Sequence, residues 1–153
     1  MGIGEIDSRG YAGGSGQPEE LALLKVTNVF PSFSVPDIDA ARRFYGDTLG
    51  FDVKEGPMGP LDIVLPGGGH VTAYPKPNHS PATFTILNLI VPDVETAVDE
   101  LAAAGIAMEH YDMPGLKTDE RGIASGQGHD IGWFKDPFGN ILSVIEETEG
   151  ITG

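Results

Sequence analysis

The side chains able to do chemistry in this chain are few, and most of them are neutral. Its four histidines, His70, His79, His110 and His129, are the natural candidates for binding a divalent metal or moving a proton. No two of them stand at helical spacing, and the residues around them put no two on one strand. His110-Tyr111-Asp112 and His129-Asp130 are local groupings only. With no cysteine in the sequence, thiolate metal sites, thiol nucleophiles and disulfides are excluded. There is no Gly-x-Ser-x-Gly elbow, no phosphate-binding loop and no dinucleotide fingerprint; Gly126-Gln127-Gly128 lacks the third glycine. What remains is milder. Arg121 can clamp an anionic ligand group, although within Asp119-Glu120-Arg121 a local ion pair on a solvated loop is the plainer reading. Trp133 offers stacking area to a flat or hydrophobic ligand, or simply packs in a core. Asn88 alternates onto one strand face with Ile86, and Ser32 and Ser34 onto one with Phe30. Once buried, such groups must pair with one another, with water or with a ligand.

The elements that position these residues follow from periodicity. Alternation predicts a strand over residues 26–35. Asp37 then caps a helix whose packed stripe is Ala41, Phe44, Tyr45 and Leu49, stopped at Gly50. Strands follow at 51–55, 61–65 and His70–Pro75, divided by turns at Gly56-Pro57 and Gly67-Gly68-Gly69. A proline-rich stretch cannot continue a strand or helix and forms a linker, residues 76–82. The grammar then repeats: a strand to Val91, a cap at Asp93, a stripe of Val94, Ala97, Val98 and Leu101, and a stop at Gly105. A strand is predicted at 106–109, and a glycine-rich polar stretch over 111–130 reads as a lid or pocket edge. A hairpin of Ile131–Lys135 and Ile141–Glu146 closes the unit across Asp136-Pro137-Phe138-Gly139-Asn140. Two β-α-β-β-β units in series are a duplication. The predicted organisation is a flexible tail over 1–22, one domain over 23–147 (modules 23–75 and 83–147), and a frayed end over 148–153.

Val35-Pro36-Asp37 and Val91-Pro92-Asp93 leading the helices, Phe44-Tyr45 before Leu49-Gly50-Phe51, and the closing Asp136-Pro137-Phe138-Gly139-Asn140 together resemble the vicinal oxygen chelate superfamily. This group includes glyoxalase I, bleomycin-resistance proteins, fosfomycin-resistance thiol transferases and extradiol dioxygenases. The resemblance spans about residues 24–147. It implies an α+β fold in which two modules form a curved, mixed-sheet cleft with helices outside. It also implies four metal-ligand positions on the concave face. One lies five residues before the Val of each Val-Pro-Asp, on Phe30 and Ile86. The others fall on the last strand of each module, at Ala73 and Ser143. A one-residue slip at Ala73 would offer Thr72 or Tyr74 instead. Phe, Ala, Ile and Ser are not a set that divalent metals choose, so neither metal nor cofactor is expected.

Charge narrows the partners. A formal net charge of −14 argues against nucleic acid and anionic membranes. The longest apolar run, 84–91, is far short of the roughly 20 residues that span a bilayer. No basic start precedes an apolar stretch, so a cytoplasmic location is expected. The resemblance, without its metal, implies a small-molecule binding protein of the bleomycin-resistance type that sequesters a drug, toxin or metabolite. The expected ligand contacts are Phe30, Ser32, Ser34, Ala73, Ile86, Asn88, Arg121, Trp133 and Ser143, and a homodimer is expected by analogy. The alternative is a glyoxalase-like lyase or isomerase, or a thiol transferase. Its non-standard metal or acid–base site would need His110, His129, Tyr74 or Glu109 to converge on the cavity. A regulatory module without a ligand is the third reading.

Overall fold

The computed structural model describes residues 23–56, 59–126 and 128–148. The tail expected over 1–22, and all but Thr148 of the expected frayed end, lie outside the described residues. The first module contributes β1 (Ser32–Val35), α1 (Ile38–Arg42) running into a π-helical turn (Arg43–Thr48), β2 (Asp52–Glu55), β3 (Leu61–Val64) and β4 (His70–Pro75). The second contributes β5 (Thr85–Val91), α2 (Val94–Ala103), the short strands β6 (Asp112–Met113), β7 (Leu116–Lys117) and β8 (Ile123–Ala124), then β9 (Ile131–Lys135) and β10 (Ile141–Glu146). Each module makes its own four-stranded mixed sheet, ordered β1-β4-β3-β2 and β5-β10-β9-β8, while β6 and β7 form a separate hairpin. The opening strand of each module lies parallel to its last strand. The duplicated sequence therefore folds as a duplicated topology.

Local chemistry explains the helix ends. The Asp37 carboxylate accepts from the Ala40 amide and Asp93 from the Thr96 amide, satisfying donors that a first helical turn leaves free. Gly50 and Gly105 sit at φ +85° and +83°, where a side chain would be strained. The first helix widens after Arg42: the Leu49 amide donates to the Phe44 carbonyl, five residues back. Gly46 lies on this widened turn, and a Cβ there would meet Val53 at 2.9 Å.

Register fixes which residues share a face. Phe33, Ala73 and Leu61 are neighbours across three strands, and all are buried beneath the helix. One step along, Ser32, Thr72 and Asp62 point to the opposite, open face. In the second sheet Leu87, Leu142 and Phe134 face the core side, and Asn88, Ser143 and Trp133 the open side.

Two predicted strands change. The strand expected over 26–35 pairs only from Ser32, because β4 begins at His70 and the last rung below it is Thr72 N to the Pro31 carbonyl. Pro31 has no amide to donate further down, and Leu23, Leu24, Val26, Val29 and Phe30 are left exposed. Residues 106–109 form no strand. Met108 makes a single bridge to Phe134, Glu109 N donates to the Trp133 carbonyl, and β8 takes the rest of that edge. Two glycines make room for Met108. A Cβ at Gly122 would lie 2.6 Å from Met108 Cβ, and one at Gly132 would lie 2.7 Å from its Cε.

A polar clasp ties the modules together through the β9–β10 turn. Asp136 is buried and accepts from Tyr45 Oη (2.7 Å), from the Phe138 and Asn140 amides (2.9 and 2.8 Å) and from Asn140 Nδ2 (3.0 Å). Asn140 Nδ2 also reaches the Ser34 carbonyl, and its Oδ1 accepts from the Ala82 amide. The Asp-Pro-Phe-Gly-Asn turn is thus bonded to the first helix, the first strand and the linker. Burial, and then the neighbouring Asp136 charge, hold the Tyr45 phenol far above the usual tyrosine range, so it remains a donor.

Candidate functional site

Three grooves adjoin along the open side of the second sheet. The first, about 390 Å³, is lined by Ser32 and Ser34 of β1, by Ser80 and Pro81 of the linker, and by Phe84 and Ile86 of β5. The second, about 210 Å³, shares Thr83 and Phe84 with it and continues to Tyr111, Leu116, Trp133 and Ile141. The third, about 250 Å³, shares Leu116 and Trp133 and ends at Ala124, His129 and Ile131. The β6–β7 hairpin supplies Leu116 and Lys117, so part of the stretch predicted as a pocket edge does form one wall. Trp133 is half-buried where two grooves meet, held edge-on by Tyr111 with ring centroids 5.4 Å apart. Burial, with a lesser effect of the Glu109 charge, raises the Tyr111 pKa.

The lining is chemically mixed: aromatic and branched aliphatic surface from Phe84, Ile86, Trp133 and Ile131, with hydroxyls at Ser32, Ser34 and Ser80. That composition suits a small molecule with one apolar face and a few polar substituents. Ser32, Ser34, Ile86 and Trp133 thus share one run of grooves. Phe30 lies at the end of the first sheet, stacked on His70 at 5.1 Å. Asn88 is exposed on β5 in a separate, more apolar groove of about 420 Å³ with Phe51 and Leu65.

Three further expected contacts also lie outside this run. Ala73 is fully buried on the helix side, in register with Phe33, and the neighbouring open-face residue, one rung along opposite Ser32, is Thr72. Ser143 has the expected face but no exposed surface, and its hydroxyl donates to Asn88 Oδ1 at 2.7 Å. Arg121 lies away from the grooves, pairing with Glu95 at 3.3 Å and with Asp99, both on α2. Hydrogen bonds from the Thr96 hydroxyl, then from its amide, hold the neighbouring Asp93 carboxyl below its usual range. Because the Arg121 pairs are exposed, Arg121→Ala should change stability by no more than about 1 kcal/mol. It should leave ligand affinity untouched, which calorimetric titration beside a urea melt will check.

The four positions at which the resemblance implies metal ligands do not fit a metal here. Phe30 and Ile86 have no donor atom. On the first module's last strand, Ala73 faces the core and the Thr72 hydroxyl donates to Asp62 at 3.0 Å. The Ser143 hydroxyl is committed to Asn88. Among the described residues no three His, Cys, Asp or Glu side chains cluster to replace them. Of the acid–base groups named for the enzymatic alternative, His129 lines the third groove. Tyr74 belongs to the first sheet, while Glu109 pairs with Lys135 at 3.7 Å beside the second.

His79 is the residue that sequence reasoning missed. A histidine in a proline-rich linker would ordinarily be solvated, yet its ring bridges the modules: Nδ1 lies 2.7 Å from Ser34 Oγ and Nε2 lies 3.0 Å from the Phe138 carbonyl. Only its place in a linker between two proline-bearing turns hinted that it is held.

The family model described as the Glyoxalase/Bleomycin resistance protein/Dioxygenase superfamily matches residues 29–144. No curated protein matches the chain. Among solved structures, a member of that superfamily from Sphaerobacter thermophilus is 24% identical with a TM-score of 0.58, the match covering 78% of this chain and 98% of that one. The fosfomycin resistance protein FosX from Listeria monocytogenes is 9% identical with a TM-score of 0.62, covering 83% and 98%. A glyoxalase/dioxygenase from Nostoc punctiforme is 19% identical with a TM-score of 0.56, covering 82% and 100%. At these identities the likeness is one of fold.

Proposed function

The chain belongs to the glyoxalase, bleomycin resistance protein and dioxygenase superfamily, and from that premise we propose that it binds a small molecule without a metal, as bleomycin-resistance proteins do. It would sequester a drug, toxin or metabolite rather than transform it by metal chemistry. One observation carries this reading: an intact family scaffold holds aromatic and hydroxyl-lined grooves while the implied chelating positions carry Phe, Ala, Ile and a Ser143 whose hydroxyl is committed to Asn88. Phe84, Ile86 and Trp133 would cover the apolar face of the ligand, and Ser32 and Ser34 would bond its polar edge. The ligand class is a flat, largely apolar molecule with neutral polar groups. Absence of cysteine is compatible with action in a reducing cytoplasm. Phe30, Tyr74 and Ile90 are large apolar side chains exposed on or beside the sheets, and a homodimer would cover them.

The test is a screen of flat aromatic antibiotics, bleomycin among them, and of aromatic acids, followed by quenching of the lone tryptophan in EDTA. Saturable quenching at one ligand per chain is expected. Quenching that appears only after a divalent metal is added would count against this reading. So would its absence across the whole screen.

A further inference from the structure

We propose that Ser34 is a nucleophile activated by His79 and able to accept an acyl group from an activated carboxylic ester. The geometry has the three parts that such activation needs: a nucleophile, a base within hydrogen-bond reach and a group that orients the base. Ser34 Oγ and His79 Nδ1 are 2.7 Å apart. The Phe138 carbonyl, 3.0 Å from Nε2, can only accept, so Nε2 carries the ring proton. In the neutral ring Nδ1 is then the bare acceptor, and the serine hydroxyl must be the donor. The orienting carbonyl is itself held, since the Gly139 amide of the same peptide plane donates to the Asp136 carbonyl at 3.2 Å.

The surroundings supply the rest. Ser34 is half-buried on the wall of the 390 Å³ groove, so its hydroxyl is reachable. Strand β1 is the edge of its sheet and bonds β4 through the Pro31 and Val35 carbonyls. Residues of alternate parity therefore point their backbone groups outward. The Ser34 carbonyl does so and accepts from Asn140 Nδ2, and the Ser34 amide points the same way, placing a donor beside the nucleophile. Phe84 and Ile86 give an apolar shelf for a flat acyl or aryl group.

The step balances with water alone as co-reactant. Ser34 Oγ bonds to the ester carbonyl carbon while its proton passes to His79 Nδ1. The imidazolium returns that proton to the departing alkoxide or phenoxide as the C–O bond breaks. Water, deprotonated by the same nitrogen, then releases the acid and restores the serine. This adds an activity to the groove and does not depend on the sequestering role, which stands if the serine is inert.

The experiment treats the full chain with a fluorophosphonate probe, with p-nitrophenyl acetate as a chromogenic ester. Expected are one adduct per chain by intact mass, mapped to Ser34, and its loss in Ser34→Ala. His79→Gln should slow labelling by about 100-fold, the usual size of a base's contribution. Labelling of the unmodified chain should also slow on acidification, and this dependence should vanish in His79→Gln. The proposal is overturned if saturating probe leaves Ser34 unmodified, if Ser32 or Ser80 is the labelled residue, or if His79→Gln labels at the original rate.

Discussion

Asp136→Ala should lower the free energy of unfolding by about 3 kcal/mol or more, the largest stability loss expected of any single substitution outside the apolar core. Four hydrogen bonds end on this buried carboxylate. Bonds to a charged acceptor contribute roughly 1.5–3 kcal/mol each before relaxation, and buried donors left bare add a penalty. The substitution would strand the fully buried Tyr45 hydroxyl and release Asn140, which grips both Ser34 and Ala82. With a urea m-value of about 2 kcal/mol/M, the midpoint should fall by roughly 1.5 M. A double-mutant cycle with Tyr45→Phe should show strong coupling. A shift under about 0.5 M would mean that the turn holds itself without the clasp.

The same pair sets a pH dependence. The Tyr45 pKa is raised in the folded state, so folding binds the phenolic proton more tightly than the unfolded chain does. Its contribution is complete below the unfolded value of about 10 and is lost as pH rises above it, by about 1.4 kcal/mol per pH unit. Urea melts between pH 8 and 11 should show this slope, and Tyr45→Phe should flatten it by one proton. Equal slopes in the two proteins would remove Tyr45 from the account.

Trp133→Ala should weaken binding of a ligand found by tryptophan quenching about 10- to 100-fold, while Trp133→Phe should keep part of the affinity. The indole sits where two grooves meet, half-buried against Tyr111, and a buried aromatic anchor of this kind commonly carries 1–3 kcal/mol or so. Because Trp133 is not sealed into the core, both variants should stay folded. Calorimetric titration reads the affinity without needing the fluorophore. Unchanged affinity in Trp133→Ala would place the ligand elsewhere.

What could be read from the sequence was local. Asp37 and Asp93 cap their helices, Gly50 and Gly105 end them with positive φ, and the repeated order of elements gives the two sheets, because each signal lies within a few residues of what it controls. The face of Ala73 was not legible: one residue of slip turns a whole strand over, and only pairing with Phe33 fixes it. The partners of Arg121 lie 22 and 26 residues away on α2. The Ser34–His79 contact spans 45 residues and the Tyr45–Asp136 contact 91. Such pairs depend on how distant elements pack, and for Tyr45–Asp136 on how the modules come together, which no local pattern encodes. Ser143 shows a subtler limit: it lies opposite Trp133 in the sheet, but its complete burial under Asn88 depends on a partner 55 residues away.

Titration of the purified chain with Mn, Ni, Zn and Fe(II) by calorimetry, with metal content measured beforehand, tests the central claim most directly. With Phe30, Ala73 (or Thr72 one residue away), Ile86 and Ser143 at the implied chelating positions, no stoichiometric binding is expected for any of the four ions. One tight site per chain for any of them would contradict the metal-independent reading.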